Sequence, residues 1–459
     1  MIDLQGAQSA SRYRGIGRYS LELAKEMVRQ RGEHEILIVL NGLFPETIIP
    51  IQDAFKDLLP VDNILTWHIP KSVFVQGWKG TKHRHRAELI RERFLSSLKP
   101  DIVHITNPIS DNAVFSIGFS PSCLLTAVTF YDLIPLIYEE IYLTPNSKFE
   151  FLYREKLEHL SRANLFLAIS ESSRLEAVQY LGRESGEVVN ISAAVDKKFK
   201  HINVTPDIEH HLRQKFGLQH PFIMYSGATD PRKNLLKLIK AFANLPLEIR
   251  NNKQLAIVGK LPKSDRINLE AYIHSYGLNA NDVVITDAIT DEDMILFYNL
   301  CELFVFPSWH EGFGLPVLEA MSCGAPVICS NTSSLPEVIG RQDVLFDPFD
   351  DRAITEKIIE VLSDPNFRDE LIQYGLRRSK HFSWEKSAKQ ALAALENFVL
   401  RQQPVVSGII NPESDEWFKI ARYNQIKMVS KFISRHIKLT LKVILIFIYQ
   451  NIVRRFRSQ

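Results

Sequence analysis

The chain has 459 residues, 45% hydrophobic and 24% charged, enough for two to three domains with large buried cores and far from the composition of a disordered segment. Lys plus Arg number 55 against 53 Asp plus Glu, a net charge of +2 that gives no electrostatic footprint for nucleic acid, and none is expected as a partner. The four cysteines (Cys123, Cys301, Cys323, Cys329) are far apart and form no C-x-x-C pair, which reads as reduced core thiols and excludes a small disulfide scaffold.

From Met1 to Tyr19 no basic start leads into an apolar run, so the cytoplasm is the expected compartment. Met1-Ile-Asp-Leu4 reads as the end of a short first strand, and Arg14-Gly15-Ile16-Gly17-Arg18 separates it from a helix over 19–30. Strands follow at 36–40, 102–106, 124–129, 165–169 and 188–191, alternating with helices at 85–97, 147–160 and 172–181. Residues 203–220 turn polar around Pro206 and read as a linker. A second series then has strands at 222–226, 254–258, 283–286, 303–307 and 327–330. Its helices are at 235–243, 268–276, 291–300, 316–322, 354–362 and 367–377. Such alternation predicts an α/β protein of two doubly wound parallel sheets, over residues 1–205 and 206–400, facing a cleft at the carboxyl ends of their strands.

Residues 401–459 read as a linker and a tail. From Trp417 onward there are ten Lys/Arg and no acid, so of the net +2 the tail contributes +10 and residues 1–416 carry −8. Lys427, Lys431, Arg435, Lys438 and Lys442 recur at helical spacing, with Ile426, Val429, Phe432, Ile433 and Ile437 between them. The apolar run Val443–Tyr449 is too short to span a bilayer. The pattern suits an interfacial helix on an anionic membrane surface; the alternative is a final helix packed on the body with its charges solvated.

The most informative stretch is Phe304-Val-Phe-Pro-Ser308-Trp-His310-Glu311-Gly312-Phe313-Gly314-Leu315-Pro316-Val-Leu-Glu319-Ala-Met-Ser-Cys-Gly324. A buried strand runs through a glycine turn into a helix with Pro316 in its first turn, which makes an anion site suited to a diphosphate. Glu311 and Glu319 can face one ligand, and a carboxylate accepts two hydrogen bonds from a vicinal diol. Taken alone, such glutamates read first as a cap on the helix dipole and a flanking ion pair.

The segment resembles the E-x7-E signature of retaining glycosyltransferases, specifically glycosyltransferase family 4 with its two-domain GT-B fold, and continues through Gly324-Ala-Pro-Val and Ser333-Ser-Leu-Pro-Glu337-Val. The resemblance implies that residues 1–205 bind an acceptor and residues 206–400 a nucleotide sugar. It further implies that Glu311 and the backbone of Phe313, Gly314 and Leu315 hold the donor hexose, and that Glu319 holds the ribose. Tyr225-Ser-Gly227-Ala-Thr-Asp-Pro-Arg232-Lys233 places two cations after a strand, where they can neutralise a diphosphate leaving group; a solvated pair is the plainer reading. Gly15 and Gly17 resemble the family's loop toward the donor phosphates, although a lone Gly-x-Gly also fits an ordinary tight turn. Phe130-Tyr131-Asp132-Leu-Ile-Pro135 resembles the His-Asp-x-x-Pro segment with Tyr131 in the histidine position, which implies either a sugar contact through the Tyr131 hydroxyl or the absence of that contact, and places Asp132 in the catalytic set. Ser170-Glu171-Ser172 matches a serine-rich strand end facing the cleft, His104 reads as a catalytic or a core histidine, and Phe382-Ser-Trp384-Glu385 precedes a last helix that crosses back to the first domain.

The function so implied is retaining hexosyl transfer, with mannose the expected sugar, from a nucleotide diphosphate sugar to a glycan or lipid-linked acceptor. No resident cofactor is expected, and no Asp-x-Asp metal site. The opening Arg-Gly-Ile-Gly-Arg-Tyr is similar to bacterial mannosyltransferases of surface polysaccharide synthesis, which favours GDP-mannose over UDP-hexoses and a peripheral location on the inner face of the cell membrane. A nucleotide-sugar epimerase or phosphorylase of the same fold, or a non-catalytic membrane-docked scaffold, are the alternatives.

Overall fold

In the computed structural model, which describes residues 1–402 apart from 10–11, 13–14, 69–80, 110–113 and 119–123, the chain builds two parallel sheets. The first holds β1 (Ile2–Asp3), β2 (Ile38–Asn41), β3 (Ile64–Trp67), β4 (Val103–Ile105), β5 (Thr126–Phe130), β6 (Leu165–Ala168) and β7 (Val188–Asn190), in the order β3-β2-β1-β4-β5-β6-β7. The second holds β8 (Phe222–Ser226), β9 (Gln254–Val258), β10 (Val283–Ile285), β11 (Leu303–Phe306), β12 (Val327–Ser330) and β13 (Leu345–Phe346), in the order β10-β9-β8-β11-β12-β13. Each sheet is thus doubly wound, as expected, with its strand order reversing between β1 and β4 in one and between β8 and β11 in the other.

Helices cover both faces of each sheet, so the central strands are largely apolar and every residue of β5, β8, β9 and β11 is buried. Alternation still shows in the packing. Ile38 and Leu40 of β2 join one core, while Val39 between them joins the core on the opposite face.

Two departures from the sequence reading have physical causes. The edge strands β3 and β13 were not foreseen, because a short edge strand is only half covered and carries a weak apolar signal: Leu65 and Thr66 are only partly buried. The stretch read as a linker contains a helix, Pro206–Phe216, opened by Pro206 in its first turn and closed by Gly217 at φ 74°. Only Leu212 of that helix is buried, so no apolar stripe announces it. The final helix, Trp384–Gln402, packs on the Gly15–Arg29 helix, with the Trp384 ring edge-on to Tyr19 at 5.1 Å. The helix after Phe382–Glu385 thus crosses back to the first sheet, as the resemblance implied.

Cys301, Cys323 and Cys329 are buried free thiols, and Cys123 lies outside the described residues. So does the tail from 403 onward with its basic stripe. Among the described residues no helix is long and apolar enough to cross a membrane.

Candidate functional site

In an open parallel sheet the crevice at the strand-order reversal is where ligands bind, and the charged residues singled out from sequence converge there. β8 and β11 are neighbours, pairing Leu303 with Ile223 and Phe304 with Met224. After β8 the chain makes a short 3-10 turn, Pro231–Lys233, whose Arg232 amide donates to the Asp230 side chain at 3.1 Å. Asn234 then adopts a left-handed conformation at φ 57°, and its amide donates to the Pro307 carbonyl at 3.1 Å and the Pro348 carbonyl at 2.7 Å. This ties the turn after β8 to the loop after β11. Two further bonds close the seam: Trp309 N–H to the Arg232 carbonyl at 2.9 Å, and Arg232 Nη1 to the His310 carbonyl at 2.8 Å.

Glu311 is at the centre of this seam. Its Oε1 accepts from Lys233 Nζ at 2.6 Å and from Ser308 Oγ at 2.6 Å, and Arg232 Nη1 lies 2.8 Å from Oε2. Burial alone would raise its pKa, but Lys233 and Arg232 outweigh burial and hold it at about 2. Burial lowers the Lys233 pKa against the pull of Glu311, while the Arg232 pKa rises because the carboxylates around it overcome the cost of its burial. The backbone is fixed too: Glu311 N–H donates to Ser333 Oγ at 3.0 Å, and Ser334 Oγ donates to the carbonyls of Glu311 and Phe313 at 2.9 and 2.8 Å. Gly314, at φ 103°, makes the turn into the Leu315–Ser322 helix that a side chain would strain.

Glu319 is on that helix in a different setting. The Tyr298 hydroxyl donates to its Oε2 at 3.1 Å, and burial raises its pKa from 4.5 to about 7. Nearby, Arg18 and Lys198 both pair with Asp291, at 2.8 and 2.6 Å. An Asp-x-Asp triplet does occur here, Asp291-Glu292-Asp293, and was not recognised from sequence. Its carboxylates are engaged: Asp291 by those two cations, Asp293 by Lys215 at 2.8 Å and by the capping box of its helix with Thr290.

The first sheet supplies the opposite wall. A Cβ on Gly312 would lie 2.6 Å from the Tyr131 carbonyl oxygen and 3.3 Å from Asp132 Oδ2, so only glycine admits this approach between the sheets. Burial, then Glu176, raises the Asp132 pKa, against Arg232 and His310. A cavity of about 160 Å3 opens beside it, between Ile16, Asn107, Tyr131, Asp132 and Phe149. Gly15 and Gly17 are not in a loop but in the first turn of the Gly15–Arg29 helix, where a Cβ on Gly15 would come within 3.5 Å of the Leu315 side chain. Gly15 thus approaches the start of the Leu315–Ser322 helix by helix packing.

Two further residues singled out from sequence are tied into the first sheet. The Tyr131 hydroxyl donates to the Thr106 carbonyl at 2.9 Å and is 3.1 Å from Ser20 Oγ, while the residue also lines the cavity beside Asp132. His104 is a core residue, 2.8 Å from Thr129 Oγ1, its pKa pushed by burial to about 3. The Phe313 ring packs edge-on to Phe382 at 5.7 Å, leaving its backbone to the loop.

Sequence reasoning missed the residues that join the two walls. The Glu337 carboxylate accepts the amides of Glu171 and Ser172 at 3.0 and 3.3 Å, capping a helix of the other sheet. His310 Nε2 is 2.9 Å from Glu176 Oε1. The signal was present in Ser173 and Glu176, three apart and so on one helical face.

Residues 208–378 match the family model described as "Glycosyl transferases group 1". The chain is 30% identical to "O-antigen chain mannosyltransferase B" of Escherichia coli over 83% of its own length and 95% of that protein. It is 35% identical to "Serotype-specific mannosyltransferase WbdA" of Escherichia coli over 89% of its own length, and spans only 49% of that relative. The fold is that of Anabaena Alr3699/HepE, solved in complex with UDP and glucose, at a TM-score of 0.61 and 16% identity over 86% of this chain and 98% of that one.

Proposed function

Because the chain belongs to the group 1 glycosyl transferases, we propose that its cleft moves a mannosyl group from GDP-mannose to a glycan or lipid-linked acceptor, with retention of configuration and without a metal ion. The observation that carries this reading is the meeting of Arg232, Lys233 and Glu311 at the ends of β8 and β11, with Asp132 of the first sheet across from them. Two adjacent cations at a strand-order reversal suit a diphosphate, and preorganised charge of this kind stabilises the leaving group as the sugar bond breaks.

In this mechanism the incoming diphosphate competes with Glu311 for Lys233 and Arg232, and the released carboxylate accepts hydroxyls of the hexose. Glu319 accepts the ribose hydroxyls. The acceptor lies on the side of Asp132 and its cavity, its hydroxyl enters on the face from which the nucleotide leaves, and the departing phosphate takes its proton. No covalent enzyme intermediate is required. Mannose is favoured by the named activities of relatives similar over most of this chain, although the WbdA relatives are about twice its length. The basic tail docks the protein on the anionic cytoplasmic leaflet, near a lipid-linked acceptor.

A thermal-shift series with GDP, UDP and their sugars tests the donor. A ligand at 100 times its dissociation constant stabilises by about 2.7 kcal/mol, so GDP-mannose should raise the melting temperature at concentrations where UDP-sugars do not. Stabilisation by UDP-glucose alone would overturn the donor assignment.

A further inference from the structure

Glu176 is a buried carboxylate, 6% exposed, that the mechanism above does not use. It projects from the Glu171–Leu181 helix of the first sheet and is shared between the two walls of the cleft. Oε2 accepts the Leu133 N–H at 2.9 Å, directly after Asp132, and Oε1 is 2.9 Å from His310 Nε2, directly before Glu311. A carboxylate can only accept, so Nε2 donates to it, and Nδ1 lies 3.3 Å from the Tyr138 hydroxyl. The same His310 takes the Arg232 guanidinium on its carbonyl at 2.8 Å. His310 thereby joins the first sheet to the turn after β8.

One turn earlier on the same face, Ser173 Oγ reaches both the Tyr131 carbonyl and the Gly312 carbonyl, the latter at 3.0 Å. The helix thus holds both loops at two heights, and Glu337 of the second sheet caps its N-terminus. A contact needed only for stability could bind any part of the facing sheet; this one binds the residue next to Asp132 and the residue next to Glu311.

We propose that Glu176 is a positioning residue, which by holding His310 and the Leu133 amide together sets the spacing between the Asp132 side and the donor side of the cleft. This rests on the reading of the cleft as a site of sugar transfer. It predicts that Glu176 acts on turnover and not on nucleotide affinity, because the proposed nucleotide contacts lie in the second sheet. Geometry at the reacting centre is costly to lose: misplacement by about 1 Å can cost about 10²-fold.

The test combines three measurements on the full chain: turnover with GDP-mannose and a mannose-terminated oligosaccharide, GDP affinity by calorimetry, and deuterium exchange over residues 131–138. Glu176→Ala should lower kcat at least about tenfold, leave the GDP dissociation constant within about twofold, and speed exchange over 131–138. Glu176→Gln keeps the shape and one acceptor oxygen, but its amide NH2 meets one of two N–H donors unless the His310 proton moves to Nδ1, so it should recover only part of the rate lost in Glu176→Ala. The Glu176→Ala/His310→Ala double variant should be no slower than Glu176→Ala, since both remove one shared link. If Glu176→Ala does not fold, His310→Phe breaks the same link from the other sheet and should speed exchange over 131–138. Unchanged kcat, a parallel loss of GDP affinity, or multiplicative losses in the double variant would overturn the proposal. A parent protein that transfers no mannose overturns the functional reading instead, and the exchange response to His310→Phe then still decides the link between the loops.

Discussion

The Lys233 ammonium lies 2.6 Å from a carboxylate oxygen of Glu311, joining the turn after β8 to the loop after β11. With Arg232 on the other oxygen at 2.8 Å, one carboxylate holds two cations, and the positive charge left over stays within reach of an incoming anion.

Replacing Glu311 with Gln keeps the shape but strands two cations, with only 14% and 19% of their side chains exposed. Breaking a buried pair costs about 3 kcal/mol, so the variant should melt lower, and inorganic pyrophosphate should restore more of its melting temperature than it adds to the parent. Turnover should fall at least about tenfold, roughly 1.4 kcal/mol. A variant that melts and turns over like the parent removes Glu311 from the account.

Lys233→Ala removes the cation on Glu311 Oε1 while Arg232 remains on Oε2. If Lys233 supplies a few kcal/mol at the developing charge, transfer should slow about 10²-fold, and chelator should not affect the parent. Activity lost in EDTA and regained with magnesium or manganese would contradict the metal-free mechanism.

Glu319 should give a pH signature. Its pKa is raised from 4.5 to about 7 by burial, so the folded protein prefers the protonated carboxyl. Its contribution to stability is therefore full below 4.5 and is lost as pH rises through 7. Glu319→Gln should accordingly gain melting temperature over the parent between pH 5 and pH 8 at low salt, with no such gain below pH 4.5. Parallel melting curves across that range would contradict it. Glu319→Ala should weaken GDP binding.

The tail carries ten cations from Trp417 on. Each basic residue near an anionic surface is worth about 1 kcal/mol, so the full chain should sediment with phosphatidylserine liposomes at low salt and detach as salt rises. Deleting residues 418–459 should abolish sedimentation and leave GDP binding intact. A truncated chain that still sediments would refute the docking role.

Much of this was legible in the sequence because parallel strands covered on both faces are nearly pure apolar runs: 222–226, 254–258 and 327–330 were read to the residue. The edge strands β3 and β13 and the Pro206–Phe216 helix escaped because each buries too little to leave a period. Glu311, Arg232 and Lys233 were legible because glycine turns and charges after strands are local signals. The partners of Tyr131 were not, since Thr106 and Ser20 meet its hydroxyl only through the fold. Glu176 and His310, 134 residues apart, form a link that no local pattern announces.

The central claim is best tested by incubating the purified chain with GDP-mannose and a mannose-terminated acceptor in EDTA and reading the new anomeric signal by NMR. The account predicts a mannosyl product with the α configuration of the donor retained, formed without added metal. A β-linked product, or transfer only from a UDP-sugar, would contradict it.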